Sequence, residues 1–334
     1  MKKHFNIPVF ITHSGCKNNC VFCNQRIITG RPEGQNDESI RETIEKYIGC
    51  ARTFADVEIA FFGGSFTNLD SARMTALLDI ANEYMAQNKF ISGIRVSTRP
   101  DCITHEIIGI LLKYSVTSIE LGVQSLFDDV LEACRRGHTA EDTERACEII
   151  KSAGINLTGQ MMLGLPRSSR EKDTATAAGL AGLGVDCARV YPAAVLPETE
   201  LCAMFRRGEY APLDLAEAVH RAKEAKKIFD LNNIKILRMG LCSSDIDPAS
   251  VVAGAYHPAF GELAEGEIIY DMLSDEIDKI CAPSVTIFAN KKNMSKIVGH
   301  NCRNINRLRE KCNVAVIEDD GVAELYKIKD SGGE

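Results

Sequence analysis

The sequence predicts an α/β fold: a parallel, incomplete (β/α)6 TIM-like barrel followed by a small C-terminal α+β module. Two observations point to the barrel. Short runs rich in Val, Ile, Leu and Phe recur at the spacing of βα units, and segments with apolar residues at three- and four-residue intervals lie between them. A change of pattern after about residue 240 sets the module apart.

The predicted strands are VFIT (Val9–Thr12), VEIAFFG (Val57–Gly63), GIRVSTR (Gly93–Arg99), TSIELGVQ (Thr117–Gln124), INLTGQMMLG (Ile155–Gly164) and CARVYP (Cys187–Pro192). The helices between them include ESIRETIEKYIG, ARMTALLDIANEYM, EIIGILLKY, TERACEIIKSAG (with Gly154 as its C-cap) and DLAEAVHRAKEAKKIFDLN. Right-handed crossovers make a parallel sheet the natural product, and in such barrels chemistry gathers on loops after the strands' C-terminal ends. The expected division is a barrel over 1–240, a helical connector packing on it over 241–283, the module over 284–325 and a flexible tail over 326–334. Within the module, SVTIFANKKNMSKIVGHNCRNINRLREKCNVAVIED reads strand, helix, helix, strand.

Composition is ordinary for a globular protein: 334 residues, 45% hydrophobic and 25% charged. No apolar run is long enough to cross a membrane, and the N-terminus lacks the apolar stretch of a secretory leader. Thirteen scattered cysteines without export signals fit reduced thiols in the cytoplasm. A net charge of −7 argues against a broadly cationic nucleic-acid coat but permits a local basic patch.

GCKNNCVFC (Gly15–Cys23) follows the first strand and places Cys16, Cys20 and Cys23 at C-x3-C-x2-C spacing. Three thiolates match three irons of a [4Fe–4S] cubane and leave the fourth iron open, as catalytic metal centres need. A zinc knot with His13 as fourth ligand and a thiol switch are the alternatives. The other cysteines (50, 102, 134, 147, 187, 202, 242, 281, 302 and 312) form no second C-x-x-C, and Cys102, Cys134 and Cys147 read as core or boundary residues.

The cysteine spacing and its context resemble the radical S-adenosylmethionine superfamily. FFGGSF (Phe61–Phe66), STRPD (Ser97–Asp101), IELGVQS (Ile119–Ser125), RRGHT (Arg135–Thr139), MMLGLP (Met161–Pro166) and RVYPAAVL (Arg189–Leu196) narrow the resemblance to the radical domain of the Elongator catalytic subunit and its shorter bacterial relatives. It covers roughly residues 7 to 240, and HPAFGEL (His257–Leu263) also looks like the shorter group. The resemblance implies that Cys16, Cys20 and Cys23 hold the cluster, whose open iron is chelated by S-adenosylmethionine. It assigns cofactor contacts to Phe22, Gly63, Gly64, Ser65, Ser97 and Met162, with the glycine pair letting backbone approach the methionine amino group. Gln124, Arg136 and Gln160 are the implied catalytic wall, a surface salt bridge being the alternative role for Arg136. Ser97 stands where the Elongator pattern has glutamate, Leu163 where it has proline and Gln160 where it has histidine. The implied chemistry is reductive cleavage of S-adenosylmethionine to a 5′-deoxyadenosyl radical that abstracts hydrogen from an unactivated carbon, with an electron from a flavodoxin- or ferredoxin-type donor.

The C-terminal module resembles a KH fold, with Gly299, His300, Asn301 and Cys302 as its G-x-x-G loop and cysteine in place of the second glycine. The window from Ser284 to Glu318 carries a net charge of +5 within the acidic chain, which suggests binding of a polyanion. Lys291, Lys292, Gly299, His300, Asn301, Arg303 and Arg307 are the candidate RNA contacts. Elongator's subunit couples its radical domain to an acetyltransferase and modifies wobble uridine in tRNA. No acetyl-coenzyme A motif is visible here, so a different modification of RNA, tRNA above all, is expected. The rivals are a radical enzyme for a small metabolite or peptide with the module as a lid, and a non-enzymatic metal-binding protein that binds RNA.

Overall fold

Seven parallel strands form one continuous sheet in the computed structural model, which describes residues 4–24, 36–241 and 248–331. In chain order the elements are β1 (His4–Phe10), α1 (Asp37–Ala51), β2 (Asp56–Phe62), α2 (Ser71–Gln87), β3 (Ile91–Thr98), α3 (His105–Lys113), β4 (Val116–Gln124), α4 (Asp128–Ala133), α5 (Ala140–Ser152), β5 (Asn156–Leu163), α6 (Arg170–Gly182), β6 (Cys187–Pro192), β7 (Ala194–Val195), α7 (Glu200–Arg206), α8 (Leu215–Leu231), β8 (Lys235–Met239), β9 (Ala253–Gly254) and α9 (Phe260–Ile280). The sheet order is β1-β2-β3-β4-β5-β6-β8, which leaves β1 and β8 as its two edges. The six expected strands are present. The sequence reading missed β8, the seventh.

The strands alternate in a way that builds both the core and the site. Ile7 and Val9 of β1, Val57, Ile59 and Phe61 of β2, Ile119, Leu121 and Val123 of β4, and Ala188 and Val190 of β6 are fully buried in one apolar core with the surrounding helices. The residues in the other phase, such as Glu58, Arg95, Glu120, Gln160 and Arg189, are polar and face the concave side. A parallel sheet is usually apolar on both faces; here one face is reserved for chemistry.

Local sequence sets where the helices begin. Asn36, Asp70, Thr104, Thr139, Ser169, Thr199 and Asp214 each accept a hydrogen bond from a first-turn amide, and Thr139 with Asp142 completes a capping box. Gly154 has φ +72° after α5, the left-handed geometry expected of a C-cap glycine.

The module comprises β10 (Ser284–Ala289), α10 (Lys291–Val298), α11 (Arg303–Arg309), β11 (Asn313–Glu318) and β12 (Lys327–Asp330). β10 pairs in parallel with β11 and antiparallel with β12. The expected flexible tail over 326–334 is therefore corrected in part, because residues 327–330 form an edge strand; residues 332–334 lie outside the described residues. α9 belongs to two cores. Phe260, Leu263 and Ala264 pack into the barrel, whereas Ile269, Leu273 and Ile277 pack with Val285, Ile287, Ile297, Ile305 and Leu308 of the module. One continuous helix thus ties the module to the barrel. No helix among the described residues is long and apolar enough to cross a membrane.

Candidate active site

The segment carrying the cysteines is zipped onto the end of β2 by backbone hydrogen bonds. Ile11 N donates to Phe62 O (2.8 Å), His13 N to Gly63 O (2.9 Å) and Ser65 N to Ser14 O (2.9 Å). Three glycines make this approach feasible. Gly15 and Gly63 have φ of +74° and +85°, and a Cβ on Gly64 would collide with Ser14 O and lie 2.7 Å from Ile11 O. What comes close to Gly64 here is the chain's own cysteine loop. Asn68 Nδ2 also donates to Gly15 O (2.5 Å), and Cys16 Sγ lies 3.6 Å from Ser65 Oγ.

The loop's far side is fixed by Cys134 and by Arg136 of the RRGHT stretch that follows it. Val21 N donates to Cys134 O (3.1 Å), and Asn18 Nδ2 to Arg136 O (3.1 Å). Arg136 is 7% exposed. Its Nη1 donates to Cys20 Sγ (3.2 Å) and its Nη2 to Gly122 O (2.5 Å). The surface ion pair weighed from sequence is thereby replaced by a buried guanidinium that touches a thiol. His138 is also buried, its Nε2 3.2 Å from Val123 O; burial, then the Arg136 charge, holds its pKa down at about 3, so the ring is neutral.

A cavity of about 840 Å³ opens on the concave side of the sheet. Cys16, Cys20 and Cys23 line it, as do Phe22, Gly63, Gly64, Ser65, Ser97 and Met162, and so do Gln124, Arg136 and Gln160. Every residue that the sequence placed in the barrel site therefore meets in one space. Gln124, at φ +69°, and Gln160 exchange two amide hydrogen bonds of 2.8 Å across neighbouring strands. The buried Ser97 Oγ and Arg136 Nε have no hydrogen-bond partner among the described residues.

The sequence reading missed Glu120, Arg189 and Tyr191, which line the same cavity. Glu120 Oε2 and Arg189 Nε are 2.9 Å apart, and Arg189 Nη1 donates to Tyr191 OH (3.2 Å). The signal was available in the alternation: Glu120 is in phase with Gly122 and Gln124 in IELGVQS, and Arg189 with Tyr191 in RVYP.

The candidate RNA residues lie elsewhere, on the module. Arg303 and Arg307 reach Glu267 of α9 at 3.3 and 2.8 Å, and the Arg307 guanidinium lies 3.5 Å from the centroid of the Tyr270 ring. Lys296 and Lys311 pair with Glu265 and Asp278 of the same helix. Part of the module's positive charge is thus matched by α9, while Lys291 and Lys292 are exposed. In the loop, Gly299, Asn301 and Cys302 all have positive φ, and the His300 ring meets His257 edge-on with centroids 5.2 Å apart.

A model of the radical SAM superfamily matches residues 10–178, and one of the radical SAM C-terminal domain matches residues 185–269. The chain belongs to the radical SAM superfamily and is an enzyme of that class. It is 34% identical over 171 residues to a tRNA uridine(34) acetyltransferase of Methanocaldococcus jannaschii, covering 50% of this chain and 31% of that one. It is 27% identical over 192 residues to Elongator complex protein 3 of Saccharomyces cerevisiae, covering 52% and 34%. The chain thus spans about a third of the length of these relatives. Among solved structures, Elp3 from Methanocaldococcus infernus superposes with a TM-score of 0.65 at 24% identity, over 82% of this chain and 64% of that one.

The superfamily's cofactors are a [4Fe–4S] cluster and S-adenosylmethionine, and the residues present suit them. Three thiols outside any disulfide line one cavity, a guanidinium donates to one of them, and the buried Ser97 hydroxyl has no partner among the described residues. Among the described residues no three His, Cys, Asp or Glu side chains converge as a site for a single metal ion. Thiolates bound to different corners of a cubane need not converge in that way. Burial instead raises the pKa of Cys102 to about 11 and of Cys134 and Cys147 to about 12, as core thiols require; Cys242 lies outside the described residues.

Proposed function

We propose that this enzyme reductively cleaves S-adenosylmethionine in the barrel cavity and modifies a nucleoside of RNA, tRNA above all. The observation that carries the reading is the meeting of the three cysteines, the glycine pair and the Gln124–Gln160 wall in one cavity. The relatives support RNA as substrate, since the archaeal one is named for uridine 34 of tRNA. Cys16, Cys20 and Cys23 hold the cluster; Phe22, Gly63, Gly64, Ser65, Ser97 and Met162 contact S-adenosylmethionine; and Gln124, Arg136 and Gln160 face the reacting groups. Bound there, the two cofactors supply one-electron chemistry for removing hydrogen from an unactivated carbon. The barrel excludes water and orients the substrate, while a flavodoxin- or ferredoxin-type protein in the cytoplasm delivers the electron.

Anaerobic incubation of the reconstituted enzyme with S-adenosylmethionine, a reductant and total RNA is expected to yield a nucleoside mass absent from a Cys20→Ala control. Mass spectrometry of digested RNA reads it. Deoxyadenosine formation with no new nucleoside mass in any RNA would overturn the RNA reading and favour a small substrate.

The module, in this reading a KH-like unit over 284–330, docks the RNA through Lys291, Lys292, the Gly299–Asn301 loop, Arg303 and Arg307. Reversal of Arg307 would also break its bond to Glu267, so the cleaner variants are Lys291→Glu and Lys292→Glu. The double variant is expected to weaken tRNA binding roughly tenfold at low salt and to flatten its salt dependence. An unchanged gel-shift titration would remove the module from the binding surface.

A further inference from the structure

Three arginines are buried among the described residues, and one lacks the kind of partner the other two have. Arg95 donates to Glu58 (2.9 Å), and Arg99 to both oxygens of Asp101 (2.9 and 3.0 Å). Arg136 pairs with no carboxylate among the described residues. Its Nη1 donates to Cys20 Sγ (3.2 Å), its Nη2 to the neutral Gly122 O (2.5 Å), and its Nε to nothing. A guanidinium stays protonated, and at 7% exposure it is costly unless a negative charge stands beside it.

The contacts of Arg136 narrow what that charge is. Cys20 is the one ionisable side chain it hydrogen-bonds. The strand behind it leaves room for the fork, since a Cβ on Gly122 would lie 3.1 Å from Nη2. The cysteine loop is tied to the same residue, because Asn18 Nδ2 donates to Arg136 O (3.1 Å). Arg135, next in the chain, is instead exposed and reaches Glu200 at 3.7 Å. RRGHT thus carries one surface cation and one buried cation, and the buried one is aimed at a cluster-ligand thiol.

We infer that Arg136 is the fixed counter-charge of the cluster held by Cys16, Cys20 and Cys23 and sets the potential at which that cluster is reduced. This rests on the cluster reading above and is independent of the RNA reading. A cubane with three thiolate ligands is anionic before reduction. One electron from a flavodoxin- or ferredoxin-type donor makes it more so, and the donor is oxidised by that electron. No bond forms or breaks and no proton moves, because the guanidinium is charged in both states. A neighbouring cation and an N–H···S bond both favour the more negative form. Arg136 therefore raises the potential and brings the cluster within the donor's reach.

The test is an anaerobic redox titration of the reconstituted full chain without S-adenosylmethionine, read by electron paramagnetic resonance of the reduced cluster. Arg136→Met is expected to lower the reduced-to-oxidised ratio at a fixed potential roughly hundredfold. That is a shift of about 120 mV to lower potential, at about 59 mV per tenfold for one electron. Arg136→Lys keeps a cation and is expected to recover most of the shift. Arg135→Met removes a surface charge and is expected to leave the potential near that of the wild type. An Arg136→Met protein with the wild-type potential would overturn the inference. Equal shifts in the Met and Lys variants would also overturn it, with lost packing as the cause. A shift seen only once S-adenosylmethionine is added would overturn it and assign Arg136 to the cofactor's carboxylate. If neither Arg136 variant holds iron, the residue frames the loop through Asn18 and Gly122, and the inference falls. A wild type that loads no cubane would take the cluster reading down with it.

Discussion

Glu58→Ala is expected to destabilise the fold by about 3–5 kcal/mol, the usual cost of leaving one partner of a buried ion pair alone. Glu58 and Arg95 are 5% and 4% exposed, on adjacent strands β2 and β3. Removing the carboxylate strands the guanidinium and also unsatisfies the buried Ser118, while Thr117 Oγ1 keeps Ile94 O and Arg95 Nη1 keeps only Thr158 Oγ1 at 3.1 Å. Single and double substitutions are expected to differ in cost. The double substitution Glu58→Leu with Arg95→Met removes both charges and is expected to recover most of the loss, since apolar side chains of similar volume fill such sites well. Urea unfolding of the wild type, Glu58→Leu, Arg95→Met and the double variant forms the cycle, with Glu58→Ala measured beside it. If the double variant is no more stable than Glu58→Ala, desolvated charge is not what this layer manages.

That layer also shows what the sequence could and could not reveal. Glu58, Arg95 and Ser118 sit in phase with one another along VEIAFF, GIRVST and TSIELGVQ, so alternation marks them as facing the side opposite the apolar core. Their mutual bonding cannot be read, because it depends on register between strands far apart in the chain. The same holds for Arg303 and Arg307. Composition presents them as part of a basic patch, but only the fold brings Glu267 and Tyr270 of α9 beneath them.

The missed strands have physical causes. KIKD, the strand β12, has charge at three of its four positions, a pattern read as a polar tail. It is an edge strand, where charge discourages pairing with other chains, so the feature that concealed it belongs to its position. KILRM, the strand β8, is another short edge strand with Lys235 and Arg238 interrupting its apolar run. Helix α6, REKDTATAAGLAG, lacks a pronounced apolar stripe because small Ala, Thr and Gly side chains form much of its packing surface. The placing of the three cysteines on one cavity, by contrast, was legible. The loop's three thiols, their spacing and its place after the first strand are all local in sequence, and local features survive whatever the rest of the chain does.

Gly64→Ala is expected to abolish cluster loading and with it the cleavage of S-adenosylmethionine. The added methyl would overlap Ser14 O and approach Ile11 O to 2.7 Å, and both obstacles are backbone. No rotamer change relieves such a contact, so the 11–16 segment must move away from β2. The hydrogen bonds from His13 N to Gly63 O and from Ser65 N to Ser14 O would stretch with it, and Cys16 would leave its position beside Ser65. The overpacking itself costs about 1–3 kcal/mol, which a protein of this size can survive. The functional cost is greater if, as proposed, Cys16, Cys20 and Cys23 together hold one rigid cluster, because a displaced first ligand then spoils the set. Gly109→Ala is the matched control: it lies within α3, nothing stands within 4 Å of the added methyl, and a small gain in stability of roughly 0.5–1 kcal/mol is expected. Iron and sulfide content, visible absorbance of the reconstituted protein and circular dichroism separate the outcomes. A folded Gly64→Ala protein that loads iron as the wild type does would show that the glycine serves only as the turn at the end of β2.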